Sequence, residues 1–278
     1  MRLASVCHIR KPNDLLILCH HGVSESWPTE FAIDPRRLEE QLRSLLRRGY
    51  RPMTLAAALA ERPAGKTLVV TFDDAYRSVL LEGYPVLAGL GVPATVFVPT
   101  AYVSSQEPMA WSGMDGWLGT RFERELDCMT WEELRQLQAN GWEIGSHTRN
   151  HRDLAALDDA EVAAELHGSR EDCERELQRP CTSLAYPFSS YDQRVKDIAR
   201  SAGYAAAVIL DNRIAIPRRT MPFLPGVEPD PMELLRAGIY RGDGRARFQA
   251  KTSLAARRLR ASKPVHLAQR LAPAGVGT

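Results

Sequence analysis

The chain has 278 residues, of which 44% are hydrophobic and 25% charged, and its formal net charge is +2. This length fits one large α/β domain, and the composition is that of an ordinary globular protein rather than of a disordered or fibrous chain. From Arg241 onwards, nine lysines or arginines stand against the single acid Asp243. The rest of the chain is therefore mildly acidic, which excludes a broad nucleic-acid-binding surface on the body of the protein.

The cysteines and the first residues indicate the compartment. Five cysteines form an odd set without a C-x-x-C pair, which predicts free thiols in a reducing environment. In the first 18 residues charges precede any long apolar run, so no secretory signal or membrane span is predicted and cytoplasmic residence is expected. The cysteines are Cys7, Cys19, Cys128, Cys173 and Cys181.

Short apolar runs alternate with helical patterns along the chain. This alternation predicts parallel strands joined by crossover helices, and therefore a distorted (β/α) barrel of about seven parallel strands within residues 1–240. A last, irregular strand is expected around Ile214, Ile216, Phe223 and Leu224. The other predicted strands span residues 14–19, 67–72, 94–98, 142–146, 183–186 and 204–210.

Helix boundaries are marked by capping residues. Asp34 followed by Pro35 predicts a helix start, as does the capping box of Thr130 and Glu133. The pattern of residues 76–91 predicts a helix that is interrupted or bent at Pro85. Residues 101–127 lack periodicity but contain tryptophans, which predicts a substrate-facing lid. The tryptophans concerned are Trp111 and Trp117.

Two adjacent carboxylates, Asp73 and Asp74, close the buried strand 67–72. Burying two anions costs several kcal/mol unless cations or hydrogen bonds compensate, so they are expected at the rim where barrel strands present catalytic groups. Neighbouring strand residues point to opposite sides, so the two carboxylates cannot share one role. The alternative is that one of them only caps the following helix.

Histidines follow two other predicted strands. His20 and His21 end the first strand, where loop polarity is the alternative interpretation. His147 and His151 are four residues apart, which suits a cation shared from one side of a helical turn. Two histidines and one carboxylate suffice for a catalytic Zn²⁺ site with open positions. The spacing alone also arises by chance in a chain with seven histidines.

Three segments, TFDDAYRS, WEIGSHTRNHRDL and SLAYPFSSYD, resemble successive motifs of the polysaccharide deacetylases, which are carbohydrate esterase family 4 or the NodB homology domain. The segments ILCHHGV and LEEQLRSLLRRGYRP resemble the permuted branch that includes the bacterial poly-N-acetylglucosamine deacetylases. The resemblance covers roughly residues 14–225.

The resemblance implies a role for each motif residue. Asp73 would be the general base, and the metal, most simply Zn²⁺, would polarise the acetyl carbonyl and hold a water. The backbone N–H of Phe188 would donate to the oxyanion. His21 would be the acid that protonates the departing amine, although strict L-x-H spacing selects His20. The implied metal ligands are Asp74, His147 and His151.

Two positions depart from the family pattern. Ala185 stands where the family has an arginine that tunes the base, and Arg218 or Arg219 is the hypothesised replacement. Ala75 replaces the glycine that follows TFDD, a small change that is expected to keep the turn.

The sequence thus predicts a metal-dependent deacetylase that acts on an N-acetylated sugar of a glycan or glycolipid precursor. The alternatives are an O-acetyl esterase, another non-peptide C–N hydrolase, or a catalytically silent glycan-binding barrel. The basic tail, residues 241–278, is expected to form a solvated terminal helix or to contact an anionic membrane surface at the inner face.

Overall fold

The computed structural model describes residues 14–105, 107–210, 220 and 229–262. Within them the chain forms a parallel sheet surrounded by helices. Its strands are β1 (Asp14–His20), β2 (Gly22–Val23), β3 (Ala32–Ile33), β4 (Arg51–Met53), β5 (Lys66–Phe72), β6 (Ala94–Val98), β7 (Glu143–Ser146), β8 (Ser183–Ala185), β9 (Ala206–Leu210) and β10 (Leu234–Gly238).

Seven of these strands close into a barrel in the order β1-β10-β9-β8-β7-β6-β5, because β5 also pairs with β1. Every pairing in this sheet is parallel. The other edge of β5 is shared by two strands. β4 pairs with the start of β5, through Thr67 and Val69, and β6 pairs with the end of β5. The predicted distorted barrel of about seven parallel strands is confirmed. Because the strands are parallel, their carboxyl ends all lie at one rim.

The helices cover the outside of the barrel. The predicted caps are confirmed, because the side chain of Asp34 accepts from the N–H groups of Arg36 and Arg37, and Thr130 and Glu133 form a reciprocal capping box. The α-helices are α1 (Pro35–Arg47), α2 (Leu55–Glu61), α3 (Tyr84–Gly89), α4 (Trp131–Ala139), α5 (Asp159–Leu177), α6 (Gln193–Ser201), α7 (Arg245–Thr252) and α8 (Leu254–Arg260).

Several elements differ from the sequence expectations. The helix expected over residues 76–91 is a π-helical turn, Val79–Gly83, followed by α3, with Pro85 in the first turn of α3 rather than at a bend. The pattern did not reveal β4 or β10. The irregular strand expected around Ile214 to Leu224 lies outside the described residues.

The basic segment after residue 240 packs against the barrel as far as it is described. It forms two short helices, α7 and α8, rather than one solvated helix, and Phe248 is buried. Arg257 of α8 donates to the Asp14 carboxylate at 2.6 Å, and the Tyr50 hydroxyl donates to the other oxygen of Asp14 at 2.5 Å. A buried ion pair therefore fastens α8 to the start of β1.

Two further predictions concern the whole chain. In the described part, Cys19, Cys128, Cys173 and Cys181 are free thiols, whereas Cys7 lies outside it. No helix among the described residues combines the length and apolar character needed to cross a membrane.

Candidate active site

The two aspartates lie at the rim, on the turn that leaves β5. The N–H of Asp73 still donates to the carbonyl of His20 on β1, at 2.9 Å. The next two residues, Asp74 and Ala75, adopt left-handed φ values of 68° and 54°. A left-handed alanine costs roughly 1–2 kcal/mol relative to its normal conformation. The turn is nevertheless kept without the family's glycine, as expected, and it aims the two carboxylates in different directions.

Asp73 is held by an arginine. Both its oxygens accept from the Arg236 guanidinium at 2.6 Å, and Arg236 also donates to the hydroxyl of Thr71 at 3.0 Å. Burial raises the pKa of Asp73, but Arg236 and His147 outweigh it and lower that pKa to about 2. The thiol of Cys19 lies 3.4 Å from the second oxygen. Asp73 is thus a fixed, ionised carboxylate at neutral pH, as a general base must be.

The source of this arginine was not predicted. Arg218 and Arg219 lie outside the described residues, and the guanidinium that orients Asp73 belongs to Arg236 on β10. The hypothesis that Arg218 or Arg219 orients Asp73 therefore stays untested, and the observed partner of Asp73 is Arg236. A signal existed in the run ELLRAG, because an arginine between apolar residues of a strand must find a buried partner.

Asp74 faces two imidazoles. Its Oδ1 lies 3.3 Å from the Nε2 of His147 and 3.3 Å from the Nε2 of His151, and all three residues are buried. Oδ1 has no hydrogen-bond partner among the described residues. Burial raises the pKa of Asp74, but the two histidines hold it well below its usual range. The three ligand atoms lie within 4.8 Å of one another, close enough to surround one cation.

The tautomer of His147 supports a cation at this place. Its Nδ1 lies 2.8 Å from the carbonyl oxygen of Ala185. Since a carbonyl only accepts, Nδ1 carries a proton, and in the neutral ring Nε2 then offers a lone pair toward Asp74. Burial lowers the pKa of His147, but Asp73 and Asp74 raise it above its ordinary value. The site therefore favours positive charge, and the residues fit a divalent metal.

The loop that carries the histidines is not the helical turn expected from their spacing. Thr148 and His151 adopt left-handed φ values of 64° and 54°, and no helix is formed there. The Glu165 carboxylate fixes this loop by accepting from the N–H groups of Arg149 and Asn150 at 2.9 and 2.8 Å. The two histidines thus come together on a loop with left-handed residues. The prediction that they share a helical turn is wrong.

Gly145 explains how β7 brings this loop into place. A Cβ there would lie 2.8 Å from the ring of Phe97 and 2.9 Å from the carbonyl oxygen of Ser183. Any other residue would push β7 away from its neighbour β8 and so displace His147, two residues further on.

His20, the last residue of β1, and His21, which follows it, have different surroundings. His20 is buried against Phe72, with ring centroids 5.5 Å apart, and burial lowers its pKa to about 3. His21 lines the same cavity as Asp73, and it lies within 4.8 Å of Asp73 and Cys19, measured between ligand atoms. Of the two histidines left open by the sequence, His21 is the one that faces the site.

Aromatic side chains border the cavity. Trp111, from the predicted lid, stacks on the ring of His151 at 3.8 Å, and Phe188 contacts the same ring edge-on at 4.7 Å. Phe188 is 56% exposed, with a left-handed φ of 55°. Trp117, by contrast, packs against Trp27 and lies outside the cavity lining. The part of the loop that lines the cavity is therefore the segment around Trp111.

The structure brings all six predicted site residues together. They line one cavity of about 320 Å³ at the rim of the barrel. The six are Asp73, Asp74, His147, His151, His21 and Phe188.

The family model described as polysaccharide deacetylase matches residues 60–207. Protein YxkH of Bacillus subtilis (strain 168) is 24% identical over 203 residues, which are 71% of this chain and 65% of YxkH. The chain thus spans just under two thirds of the length of that relative. Poly-beta-1,6-N-acetyl-D-glucosamine N-deacetylase of Staphylococcus aureus (strain MSSA476) is 20% identical over 232 residues, 79% of this chain and 75% of that protein.

A solved structure shows the same fold. The crystal structure of BC0361, a polysaccharide deacetylase from Bacillus cereus, superposes with a TM-score of 0.68 at 19% identity, covering 86% of this chain and 69% of that one. The family model matches more than half of this chain, and the barrel agrees with it. The chain therefore belongs to the polysaccharide deacetylase family, in the branch that includes the poly-N-acetylglucosamine deacetylases.

Proposed function

We propose that the chain is a metal-dependent hydrolase that removes the acetyl group from an N-acetylated sugar of a glycan or glycolipid precursor. One observation carries the proposal, namely that a carboxylate fixed by an arginine lies next to an Asp-His-His cluster whose acidic oxygen has no hydrogen-bond partner among the described residues. A base and a cation site side by side are what amide hydrolysis requires.

Asp74, His147 and His151 would hold the cation. Two imidazole nitrogens and one carboxylate oxygen suit Zn²⁺, and when bound it would supply Lewis-acid polarisation of the acetyl carbonyl. Asp74 therefore serves the ion, while its neighbour Asp73 stays free for proton transfer. This division follows from the turn, which separates the two carboxylates.

The chain's own groups account for the proton transfers. Asp73, held ionised by Arg236, would accept the proton of the attacking water. His21, which lines the same cavity, would donate a proton to the departing amine of the sugar. The Phe188 N–H would donate to the oxyanion that develops on the acetyl oxygen. The rings of Trp111 and Phe188 would stack against the apolar faces of the sugar.

The test compares acetate release from chitooligosaccharides and from acetylated xylan, with and without a chelator. We expect release from the chitooligosaccharides, its loss on chelation, and its return when Zn²⁺ is added back. The Asp74→Asn variant should resemble the chelated protein and bind no stoichiometric Zn²⁺ by elemental analysis.

Other outcomes separate the alternatives. Release from xylan alone would identify an O-acetyl esterase with the same site. Bound metal without release from any acetylated glycan would contradict the proposal and favour a glycan-binding barrel. Cytoplasmic residence and contact with an anionic membrane stay predictions.

A further inference from the structure

A second cavity, of about 650 Å³, lies directly beside the active site. The two cavities share three lining residues, Phe31, Leu210 and Arg236. Arg236 is the residue that holds Asp73, so the second cavity begins at the back of the catalytic base. The two cavities therefore adjoin each other at these three side chains.

The second cavity follows a seam in the barrel wall. β1 and β10 pair only through Leu18 with Ala237 and Cys19 with Gly238. Nearer the start of β1 this pairing ends, and Arg257 of α8 instead donates to the carbonyl oxygen of Leu15 at 3.2 Å. The cavity lies along this opening, under α7 and α8, and extends from the rim toward the base of the barrel.

Its charged lining is predominantly basic. Five of the lining residues are cationic and one, Glu30, is acidic. Two of the cations share one carboxylate, because Lys251 lies 2.6 Å and Arg247 lies 3.1 Å from oxygens of Asp243. The side chain of Arg247 is 69% exposed. Arg236 is neutralised by Asp73 and Arg257 by Asp14. The surplus positive charge therefore lies where Arg247 and Lys251 share the one carboxylate of Asp243. The cationic lining residues are Arg236, Arg247, Lys251, Arg257 and Arg260.

Two buried donors in this lining lack an acceptor. The Nε atoms of Arg236 and Arg257 have no hydrogen-bond partner among the described residues, and both side chains are more than nine-tenths buried. An unsatisfied buried donor costs about 1–3 kcal/mol, more when it is charged. The Nη atoms of both residues already donate to Asp73, Asp14 and the Leu15 carbonyl. The cations that remain for a phosphate are Arg247 and Lys251, which have one carboxylate between them.

We propose that this cavity binds a phosphate or pyrophosphate group. Resting on the proposed function above, the inference is that the substrate is an acetamido sugar joined to such a group, with the sugar in the active site and the phosphate along the seam. The phosphate could belong to a nucleotide or to a lipid carrier, and the chemistry of recognition is the same.

The first experiment measures binding without catalysis. Sodium pyrophosphate is titrated calorimetrically into the full chain in buffer with excess EDTA, so that no metal contributes. We expect the double variant Arg247→Gln, Lys251→Gln to bind at least about tenfold more weakly than the wild type, because charge-assisted hydrogen bonds are lost. Arg43→Gln is the matched control, since Arg43 is an exposed arginine on α1 that does not line this cavity. It should bind like the wild type.

Two results would overturn the inference. One is a wild-type protein that does not bind millimolar pyrophosphate, and the other is a double variant that binds as well as the wild type. Circular dichroism confirms that each variant is folded. If the double variant does not fold, Arg247→Gln alone provides the test, because that side chain is mostly exposed.

The second experiment identifies the source of the phosphate. The Michaelis constant for deacetylation is measured on UDP-N-acetylglucosamine, on polyprenyl-pyrophosphate-linked N-acetylglucosamine in detergent, and on neutral diacetylchitobiose. We expect the double variant to raise KM about tenfold or more on a phosphorylated sugar and to leave the neutral sugar unchanged. An equal rise on both would overturn the inference.

The failure of one proposal is distinguishable from the failure of the other. Pyrophosphate binding that depends on Arg247 and Lys251, without turnover of any sugar, supports the second site and contradicts the proposed function. Turnover of the neutral sugar without pyrophosphate binding supports the proposed function and contradicts the second site.

Discussion

Two buried arginine–aspartate pairs lie at opposite ends of the barrel. At the rim, Arg236 donates to Asp73, and at the base Arg257 donates to Asp14, each at 2.6 Å. All four side chains are at least 92% buried. Both pairs join a late element of the chain to an early strand, so their geometry alone does not tell them apart.

The surroundings of the two ion pairs do distinguish them. Asp73 has Cys19 on one side and the Asp74-histidine cluster beyond it, and it lines a cavity. Asp14 accepts from the Tyr50 hydroxyl and does not line that cavity. A buried ion pair is weak evidence for stability by itself, since desolvation offsets most of the attraction. The pair at the rim therefore orients a carboxylate that lines the candidate active site, while the pair at the opposite end joins α8 to β1.

The sharpest test of this difference removes the carboxylate of Asp73, the proposed general base. Asp73→Asn should lower kcat/KM about 10⁴-fold, or about 5.5 kcal/mol, because the amide cannot accept a proton from water. Acetate release is measured together with bound Zn²⁺, which should stay stoichiometric. Asp14→Asn is the matched control and should keep its kcat in the folded fraction. Parallel losses of kcat in the two variants would show that the rim pair is structural.

The converse substitution is Arg257→Gln. It leaves Asp14 buried with its charge uncompensated, so the free energy of unfolding should fall by about 3 kcal/mol. Urea denaturation measures this, and kcat of the folded protein should not change. The neighbour Arg258 supplies the control, because its Nε and one Nη have no hydrogen-bond partner among the described residues. If Arg258→Gln is equally destabilising, the anchoring role of the Asp14 pair is wrong.

Arg236→Lys tests whether the rim arginine positions the base. Lysine keeps the charge but cannot donate to both carboxylate oxygens in one plane. Losing one charge-assisted hydrogen bond should lower kcat about tenfold. KM for a neutral sugar such as diacetylchitobiose should stay the same. A raised KM with an unchanged kcat would mean that Arg236 binds substrate instead.

The smallest effect is expected from Tyr50→Phe, which removes the hydroxyl that donates to Asp14. One hydrogen bond to a buried carboxylate should cost about 1.5 kcal/mol of unfolding free energy. Burial and the Asp14 contact raise the pKa of Tyr50 to about 12. The folded state thus holds this proton more tightly than the unfolded state, and stability falls as pH rises from about 10 toward 12.

The phenylalanine variant lacks this titration, so its stability should fall less steeply over that pH range. Denaturant midpoints at pH 9, 10 and 11 for the wild type and Tyr50→Phe measure the difference. Identical pH dependence in the two proteins would contradict it.

The site residues that could be predicted from the sequence are those that directly follow a predicted strand. Asp73, Asp74, His147 and His151 follow apolar runs directly, and parallel strands bring such positions to one rim regardless of the loops between them. His21 was indicated by the family resemblance alone, in which an aromatic position and then the acid end the first strand, with His20 in the aromatic position.

Other features depend on geometry that local patterns do not carry. Arg236 lies 163 residues from the carboxylate it holds, on a five-residue strand that no periodicity marks. The left-handed residues of the histidine loop were mistaken for a helical turn, because spacing alone does not distinguish the two. The opening between β1 and β10 depends on where pairing stops, which is set by α8 and not by either strand.

The barrel closes through its first and last described strands, and this has a consequence for any shortened version of the protein. Residues 60–207 contain Asp73 and the three residues of the candidate cation site, yet β1 with the following His21, and β10 with Arg236, lie outside that span. A nascent or truncated chain that ends before residue 234 would lack the residue that fixes Asp73. The Arg236–Asp73 pair can therefore form only after synthesis has passed β10.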